Sequence, residues 1–160
     1  MKKLALYVLC VSLLLAFVGC GNEKKENYAG FQKSSFIVLE EKDTHSGFHG
    51  DGMYYLVLDC SQNKEVAMEH LNELNTLPLS RNLELMLYGG TTEEIVYMSE
   101  IASSLDIPRI ENGYYYFCDR HSESTDTSDD TNLLSRGSFN FTLAIYDSDT
   151  DRLYYVDFDT

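Results

Sequence analysis

The chain has 160 residues, of which 26 are acidic and 12 are basic, so its formal net charge at pH 7 is −14. A surface of that charge repels nucleic acids, and no basic cluster in the sequence offsets it, so a nucleic-acid partner is excluded. The length fits one domain with a core of its own. The 12 tyrosines and 8 phenylalanines, without tryptophan, indicate a tyrosine-rich β-sheet.

The N-terminal 22 residues have the pattern of an export signal. Residues 1–3 carry two lysines, residues 4–18 are apolar apart from one serine, and Gly19-Cys20 follows. The apolar run is shorter than the roughly 20 residues of a membrane-spanning helix, which favours a cleaved signal peptide over an uncleaved anchor helix. Phe17-Val18-Gly19-Cys20 resembles the lipobox of bacterial lipoproteins, in which lipid is attached to the cysteine and the chain is cut before it.

The lipobox resemblance implies a division of the chain. Residues 1–19 would be a signal peptide, Cys20 would carry a diacylglyceryl group, and the protein would be held on the extracytoplasmic face of the cell membrane, because two acyl chains anchor stably. Residues 20–30 are polar and predict a flexible tether, and residues 31–160 predict a single α+β domain. Cleavage removes two basic residues and no acidic one, so the net charge of the mature chain becomes −16.

Apolar periodicity predicts eight elements in the order β-β-α-β-α-β-β-β. Residues 41–52 and 120–137 are predicted to be loops, because the first is rich in glycine and the second in serine and aspartate. The predicted elements are strands at 36–40 and 53–59, a helix at 63–75, a strand at 83–88, a helix at 93–105, and strands at 114–118, 139–146 and 154–158.

The last two strands form the clearest predicted feature, a C-terminal β-hairpin whose apolar residues alternate on both sides of the turn at 147–151. The whole order predicts a single mixed, mainly antiparallel sheet with both helices on one face, which is the simplest packing. Six hairpin side chains are predicted to be buried together, namely Phe139, Phe141, Leu143, Ile145, Val156 and Phe158.

Three stretches beyond the signal, at residues 49–55, 112–126 and 138–155, resemble an uncharacterised family of Gram-positive bacterial proteins with no known activity. They span most of the predicted domain. The resemblance implies one coherent domain, and it implies no functional residue.

Two predicted loops carry the side chains that could form a site. Imidazole and carboxylate groups bind zinc and similar ions, and they can act as general acid and base. If the strands beside these loops are antiparallel neighbours, both loops lie at the same edge of the sheet. The candidate residues are His45, His49 and Asp51 in the first loop and Asp119, Arg120 and His121 in the second.

Two other interpretations of these loops remain open. The residues could hold a polar ligand without catalysis, or they could be ordinary loop residues in which Arg120 pairs with Asp51 or Asp119. A Cys60–Cys118 disulfide would be incompatible with both loops lying at the same edge of the sheet. In antiparallel strands these cysteines lie roughly 20 Å apart, whereas a disulfide needs Cα atoms within about 7 Å.

The sequence therefore favours a membrane-anchored extracytoplasmic lipoprotein with a non-enzymatic binding or interaction domain. Its strong acidity favours cations, cationic peptides or neutral molecules as ligands, and no cofactor is expected. The alternative is a small metal-dependent hydrolase that uses the His49/Asp51 and Asp119/His121 loops, for which a divalent cation would be a partner. A third possibility is an accessory partner of another exported protein.

Overall fold

The computed structural model of the protein describes residues 27–45, 50–92 and 95–160. Within these ranges, short 3₁₀ helices occur at Lys33–Ser35, Ser61–Asn63 and Leu133–Ser135. The strands are β1 Asn27–Tyr28, β2 Phe31–Gln32, β3 Ile37–Asp43, β4 Gly52–Asp59, β5 Asn75–Thr76, β6 Gly90–Thr91, β7 Val96–Tyr97, β8 Gly113–Asp119, β9 Asn140–Asp147 and β10 Arg152–Asp159. The α-helices are α1 Lys64–Leu71, α2 Arg81–Tyr88 and α3 Ile101–Ser104.

One six-stranded sheet organises the fold, in the order β3-β4-β10-β9-β8-β5, and all its neighbouring strands are antiparallel. The α+β class with a mainly antiparallel sheet is thus confirmed. The C-terminal hairpin is confirmed as well, because β9 and β10 pair without interruption from Asp147↔Arg152 to Asn140↔Asp159. Four of the six hairpin side chains predicted to be buried lie in one cluster, and Phe139 and Phe158 pack against it at the rim.

Both faces of this sheet are buried. Successive residues of a strand point to opposite faces, and β10 is apolar at both sets of positions, so each face has to be covered. Helices α2 and α3 cover the face that we call the α2 face, which carries Val57, Phe117, Leu143, Ile145 and Val156. Helix α1 and the β1–β2 hairpin cover the opposite α1 face, which carries Leu56, Leu58, Ala144, Tyr146, Leu153 and Tyr155.

The prediction of both helices on one face therefore needs correction. The helix predicted at 63–75 is α1, and the helix predicted at 93–105 contains α3, and these two lie on opposite faces. The first is also shorter than predicted, because residues 75–76 leave the helix and pair with β8 as an edge strand.

Residues 83–88 were predicted to be a strand, and the structure has helix α2 there instead. A short apolar run fits a buried helix as well as a buried strand. The Ser80 side chain accepts a hydrogen bond from the Leu83 N–H, which starts the helix, and Gly89 ends it at a φ of 70°.

Of the long helix predicted at 93–105, the described residues 95–105 contain only the single turn α3, and residues 93–94 lie outside the described ranges. Thr92 Oγ1 accepts a hydrogen bond from the Ile95 N–H, at 3.0 Å, and the Thr92 N–H donates to the Ile95 carbonyl, so this segment closes the β6–β7 hairpin. Ile95 and Met98, which lie before the turn α3, are 52% and 88% exposed. The consequence is an end of the sheet that none of the described helices covers.

The described fold begins inside the segment predicted as a tether. Tyr28 and Phe31 are 2% and 0% exposed on the α1 face, and β1 pairs with β2. A tether could therefore reach only as far as Glu26. Of the helices within the described ranges, none has the length and apolar character needed to cross a membrane.

Candidate functional site

The two predicted site loops leave the sheet at the same end. Gly52 at the start of β4 pairs with Asp159, Asp159 pairs with Asn140, and Asp119 at the end of β8 pairs with Phe141. However, β4 and β8 are not neighbours, because the C-terminal hairpin lies between them. Three strand spacings separate them, which is about 14 Å.

The first loop is closed by its own backbone. The Thr44 N–H donates to the Met53 carbonyl and the Met53 N–H to Thr44 Oγ1, each at 2.8 Å. Gly52 has a φ of 155°, and a Cβ there would lie 2.5 Å from the Cα of His45. Only glycine allows this close approach, and it places His45 over the end of β10.

Asp159 joins His45 to Arg120 across the end of the sheet. His45 Nε2 lies 3.1 Å from one carboxylate oxygen of Asp159, and Arg120 Nη1 lies 3.0 Å from the other. Arg120 also lies 3.7 Å from Asp157 and donates to Thr142 Oγ1 at 3.1 Å. The partners of Arg120 are thus strand carboxylates of the α1 face, and not Asp51 or Asp119 as the sequence suggested.

His45 is held between two carboxylates, since its Nδ1 lies 2.7 Å from Asp43. Partial burial lowers the pKa of His45, but the hydrogen bonds to Asp43 and Asp159 outweigh this effect, and the pKa is raised above its ordinary value. Below this pKa, the imidazolium is a structural cation between the two carboxylates. It is not available as a neutral metal ligand while it is protonated.

His45 therefore makes stability depend on pH. Because its pKa is raised on folding, its stabilising contribution is present below its unfolded pKa of about 6.5 and is lost as the pH rises through the folded value. We expect the loss of unfolding free energy in His45→Ala to be about 0.5 kcal/mol larger at pH 6 than at pH 8.5. Urea denaturation at both pH values measures this, and an equal loss at both would contradict it.

Asp119 and Arg120 point to opposite faces of the sheet. Asp119 is 1% exposed on the α2 face, where Arg136 Nη2 lies 2.7 Å and Nη1 2.9 Å from its two oxygens. Burial raises the pKa of Asp119, but the Arg136 guanidinium and the His121 backbone N–H outweigh this effect and lower it. Since alternate residues of a strand face opposite ways, the candidate residues divide between two separate networks.

His121 does not activate a nucleophile. Its Nδ1 accepts the Glu123 backbone N–H at 3.2 Å, so in the neutral ring the proton is on Nε2. Nε2 then donates to Ser138 Oγ, at 3.1 Å. A general base for serine would need the opposite arrangement, with the ring nitrogen accepting the hydroxyl proton.

The described part of the chain contains no group of three or more His, Cys, Asp or Glu side chains that could hold a metal ion. It therefore does not support the predicted metal site. His49 lies outside the described residues, so its convergence with His121 stays a prediction, and Asp51 is exposed. Cys60 and Cys118 are both free, and they lie at opposite ends of the antiparallel strands β4 and β8.

A polar cavity of about 560 Å³ lies beside His121. Its lining includes Arg136, Ser138 and Glu123. Two of these groups already have protein partners, because Arg136 binds Asp119 and Ser138 binds His121. A ligand here would have to replace existing bonds, so this cavity is the weaker candidate.

The better candidate is an apolar groove of about 680 Å³ on the α2 face, at the end of the sheet that α3 leaves uncovered. It was not apparent from the sequence. Its walls come from β4, α2, β7, α3, the segment before β9, and the end of β10. The lining residues are Met53, Leu85, Met86, Tyr97, Met98, Ser99, Glu100, Ile101, Ser104, Leu134, Gly137, Phe139, Phe158 and Thr160.

The groove combines a soft apolar lining with few polar groups. Three of the protein's five methionines line it, and the thioether side chain adapts to ligands of varied shape. The rings of Phe139 and Phe158 stack 6.4 Å apart at its rim. Ser99 Oγ donates to the Met86 carbonyl and Ser104 Oγ to the Ile101 carbonyl. Glu100 is the one acidic side chain among the described lining residues.

Comparisons of the chain with protein-family models, with curated proteins and with solved structures found no match. The resemblances to bacterial lipoproteins and to an uncharacterised Gram-positive family stay predictions. What the groove can bind follows from the size, polarity and charge of its own lining.

Proposed function

We propose that this protein is an extracytoplasmic lipoprotein, held at the cell membrane by lipid on Cys20, whose folded domain binds a small molecule with an apolar body. The N-terminal sequence pattern supports the anchor. The apolar groove on the α2 face supports the binding role.

The size of the groove is the observation that carries this proposal. Small-molecule sites have volumes of roughly 300–1,000 Å³ and are mostly apolar, with a few polar groups that orient the ligand. The groove has a volume of about 680 Å³ and this kind of lining. A volume in this range fits a small molecule as the occupant.

The hydrolase alternative has less support. Among the described residues that line the groove, none is a histidine, cysteine or lysine. Outside it, Asp119 is bound to Arg136 and the His121 ring donates to Ser138. Asp119 and His121 of the hydrolase alternative therefore both have structural partners. Asp51 is exposed, and His49 lies outside the described residues.

Anchoring would keep the groove close to the membrane surface. Seven residue steps separate Cys20 from Asn27, where the described fold begins, and an extended chain of that length spans at most about 25 Å. A domain held at this distance can exchange amphipathic molecules with the lipid surface.

Replacement of the lipidated cysteine tests the anchor. We expect Cys20→Ala to abolish incorporation of radiolabelled fatty acid and to release the protein from the membrane fraction, because the diacylglyceryl group has no other attachment point. Cys10→Ala is the matched control and should leave labelling intact. Undiminished labelling of the Cys20→Ala variant would refute the lipoprotein assignment.

Methionine methyl NMR tests the groove. The lipidated protein, with isotope-labelled methionine methyl groups, is reconstituted in phosphatidylcholine nanodiscs and titrated with octanol. We expect the methyl signals of Met53, Met86 and Met98 to shift, whereas Met68, exposed on α1, serves as an internal reference.

A blocking variant completes this experiment. Gly137 lines the groove, and a Cβ there would meet nothing within 4 Å. Gly137→Phe can therefore place a ring at the groove wall without strain, and we expect it to weaken octanol binding about tenfold. Ser122→Phe, at an exposed position outside the lining, is the control. If octanol shifts no groove methionine in the wild-type protein, the proposed binding role is wrong.

A further inference from the structure

We infer that the ligand of the groove is an amphipathic cation, with an alkyl or aryl body inside the groove and an ammonium-type head held at Glu100. This inference rests on the binding role proposed above and specifies the chemical class of the ligand.

Glu100 supplies an available negative charge. Its backbone carbonyl accepts Ser103 Oγ at 3.1 Å and the Ser104 N–H at 2.8 Å, which holds this residue at the start of α3. Its exposed carboxylate forms no ion pair with any basic residue in the ranges that the structure describes. A cationic ligand can therefore reach it without displacing a protein partner.

Nearby arginines do not cancel that charge. Arg136 adjoins the lining residue Gly137, but its guanidinium is bound to buried Asp119. Arg81, on the helix that carries Leu85 and Met86, donates to the Thr91 carbonyl at 2.8 Å and lies 3.4 Å from Glu84. The net charge of −14 on the whole chain favours the approach of cations over that of anions.

Aromatic rings favour the same ligand. Tyr97, Phe139 and Phe158 line the groove, and the face of an aromatic ring attracts an ammonium group, above all a quaternary one, which carries its charge on an apolar surface. A carboxylate beside aromatic rings and methionines thus matches a molecule that is cationic at one end and apolar along its body.

Three octyl compounds that differ only in the head group test the inference. The lipidated, methionine-labelled protein in phosphatidylcholine nanodiscs is titrated with octyltrimethylammonium, octanol and octyl sulfate at matched free concentrations. We expect octyltrimethylammonium to bind about tenfold more tightly than octanol and octyl sulfate to bind most weakly. The preference for the cation should diminish as salt is raised, because salt screens the exposed Glu100 carboxylate.

Substitution of Glu100 tests whether its carboxylate causes the preference for the cation. Glu100→Gln should reduce the affinity ratio of octyltrimethylammonium to octanol from about tenfold to near one. Glu65→Gln, on α1, is the matched control and should keep the ratio. Circular dichroism of each variant reports whether the protein is folded.

The outcomes separate the two proposals. If octyltrimethylammonium and octanol bind equally, or if Glu100→Gln keeps the tenfold ratio, the cation inference is overturned and the apolar binding role stands. If none of the three compounds shifts Met53, Met86 or Met98, the binding role itself is overturned, and the cation inference with it.

Discussion

Asp119→Ala is expected to lower the free energy of unfolding by about 3 kcal/mol, because it leaves the largely buried Arg136 guanidinium without its partner. The side chains of Asp119 and Arg136 are 1% and 11% exposed and meet in a two-point bridge. Asp119 also accepts the His121 backbone N–H, so its removal loosens the loop that follows β8. Urea denaturation followed by circular dichroism measures the loss.

Two further variants test the mechanism of this loss. The double variant Asp119→Ala/Arg136→Ala should lose less than the sum of the two single losses, since neither charge is then left alone. Asp51→Ala removes a carboxylate from an exposed position of the other loop, and it should change stability by no more than about 0.5 kcal/mol. A loss below about 1 kcal/mol in Asp119→Ala would contradict the buried bridge.

Leu143→Ala and Leu153→Ala are each expected to cost about 2.7–5 kcal/mol, although the two leucines lie on opposite faces of the sheet. Leu143 is 2% exposed on the α2 face, and Leu153 is 0% exposed on the α1 face beneath α1. Each substitution removes a packed side chain and leaves a cavity. Thermal and urea denaturation measure the two losses independently.

Comparison of these two stability losses shows whether the sheet is covered on both faces or on one face only. If only the α2 face were buried, Leu153→Ala would cost no more than a surface substitution. Leu39→Ala supplies that reference, because Leu39 lies on the edge strand β3 and is 47% exposed. We expect it to change stability by no more than about 0.5 kcal/mol. Equal costs for Leu153→Ala and Leu39→Ala would refute burial of the α1 face.

Strands with a clear local pattern of apolar residues could be predicted from the sequence. β4, β8 and the β9–β10 hairpin are long apolar or alternating runs between turn residues, and the structure has all four close to their predicted bounds. Residues 83–88 could not be assigned in this way. A run of six mostly apolar residues is too short to show whether its period is that of a helix or of a strand. The cap at Ser80 and burial against the α2 face make these residues helical.

The arrangement of the candidate polar residues depends on contacts between distant parts of the chain. The sequence indicated that the loops beside β4 and β8 share one end of the sheet, and they do. It did not indicate that the C-terminal hairpin would lie between them, nor that Asp159 would join His45 to Arg120. No local pattern encodes a pairing between residues 45 and 159, because register is decided when the strands assemble.

The sequence by itself determined the α+β class, the antiparallel hairpin, the acidic surface and the expectation of a lipid anchor, because each of these follows from composition or from the periodicity of neighbouring residues. Only the tertiary structure decided that both faces of the sheet are buried, that the candidate polar residues divide between those faces, and that a groove remains open. The groove exists because α3 is a single turn and leaves Met53, Phe139 and Phe158 uncovered. Its lining comes from segments more than 100 residues apart, and such a cavity is a property of packing.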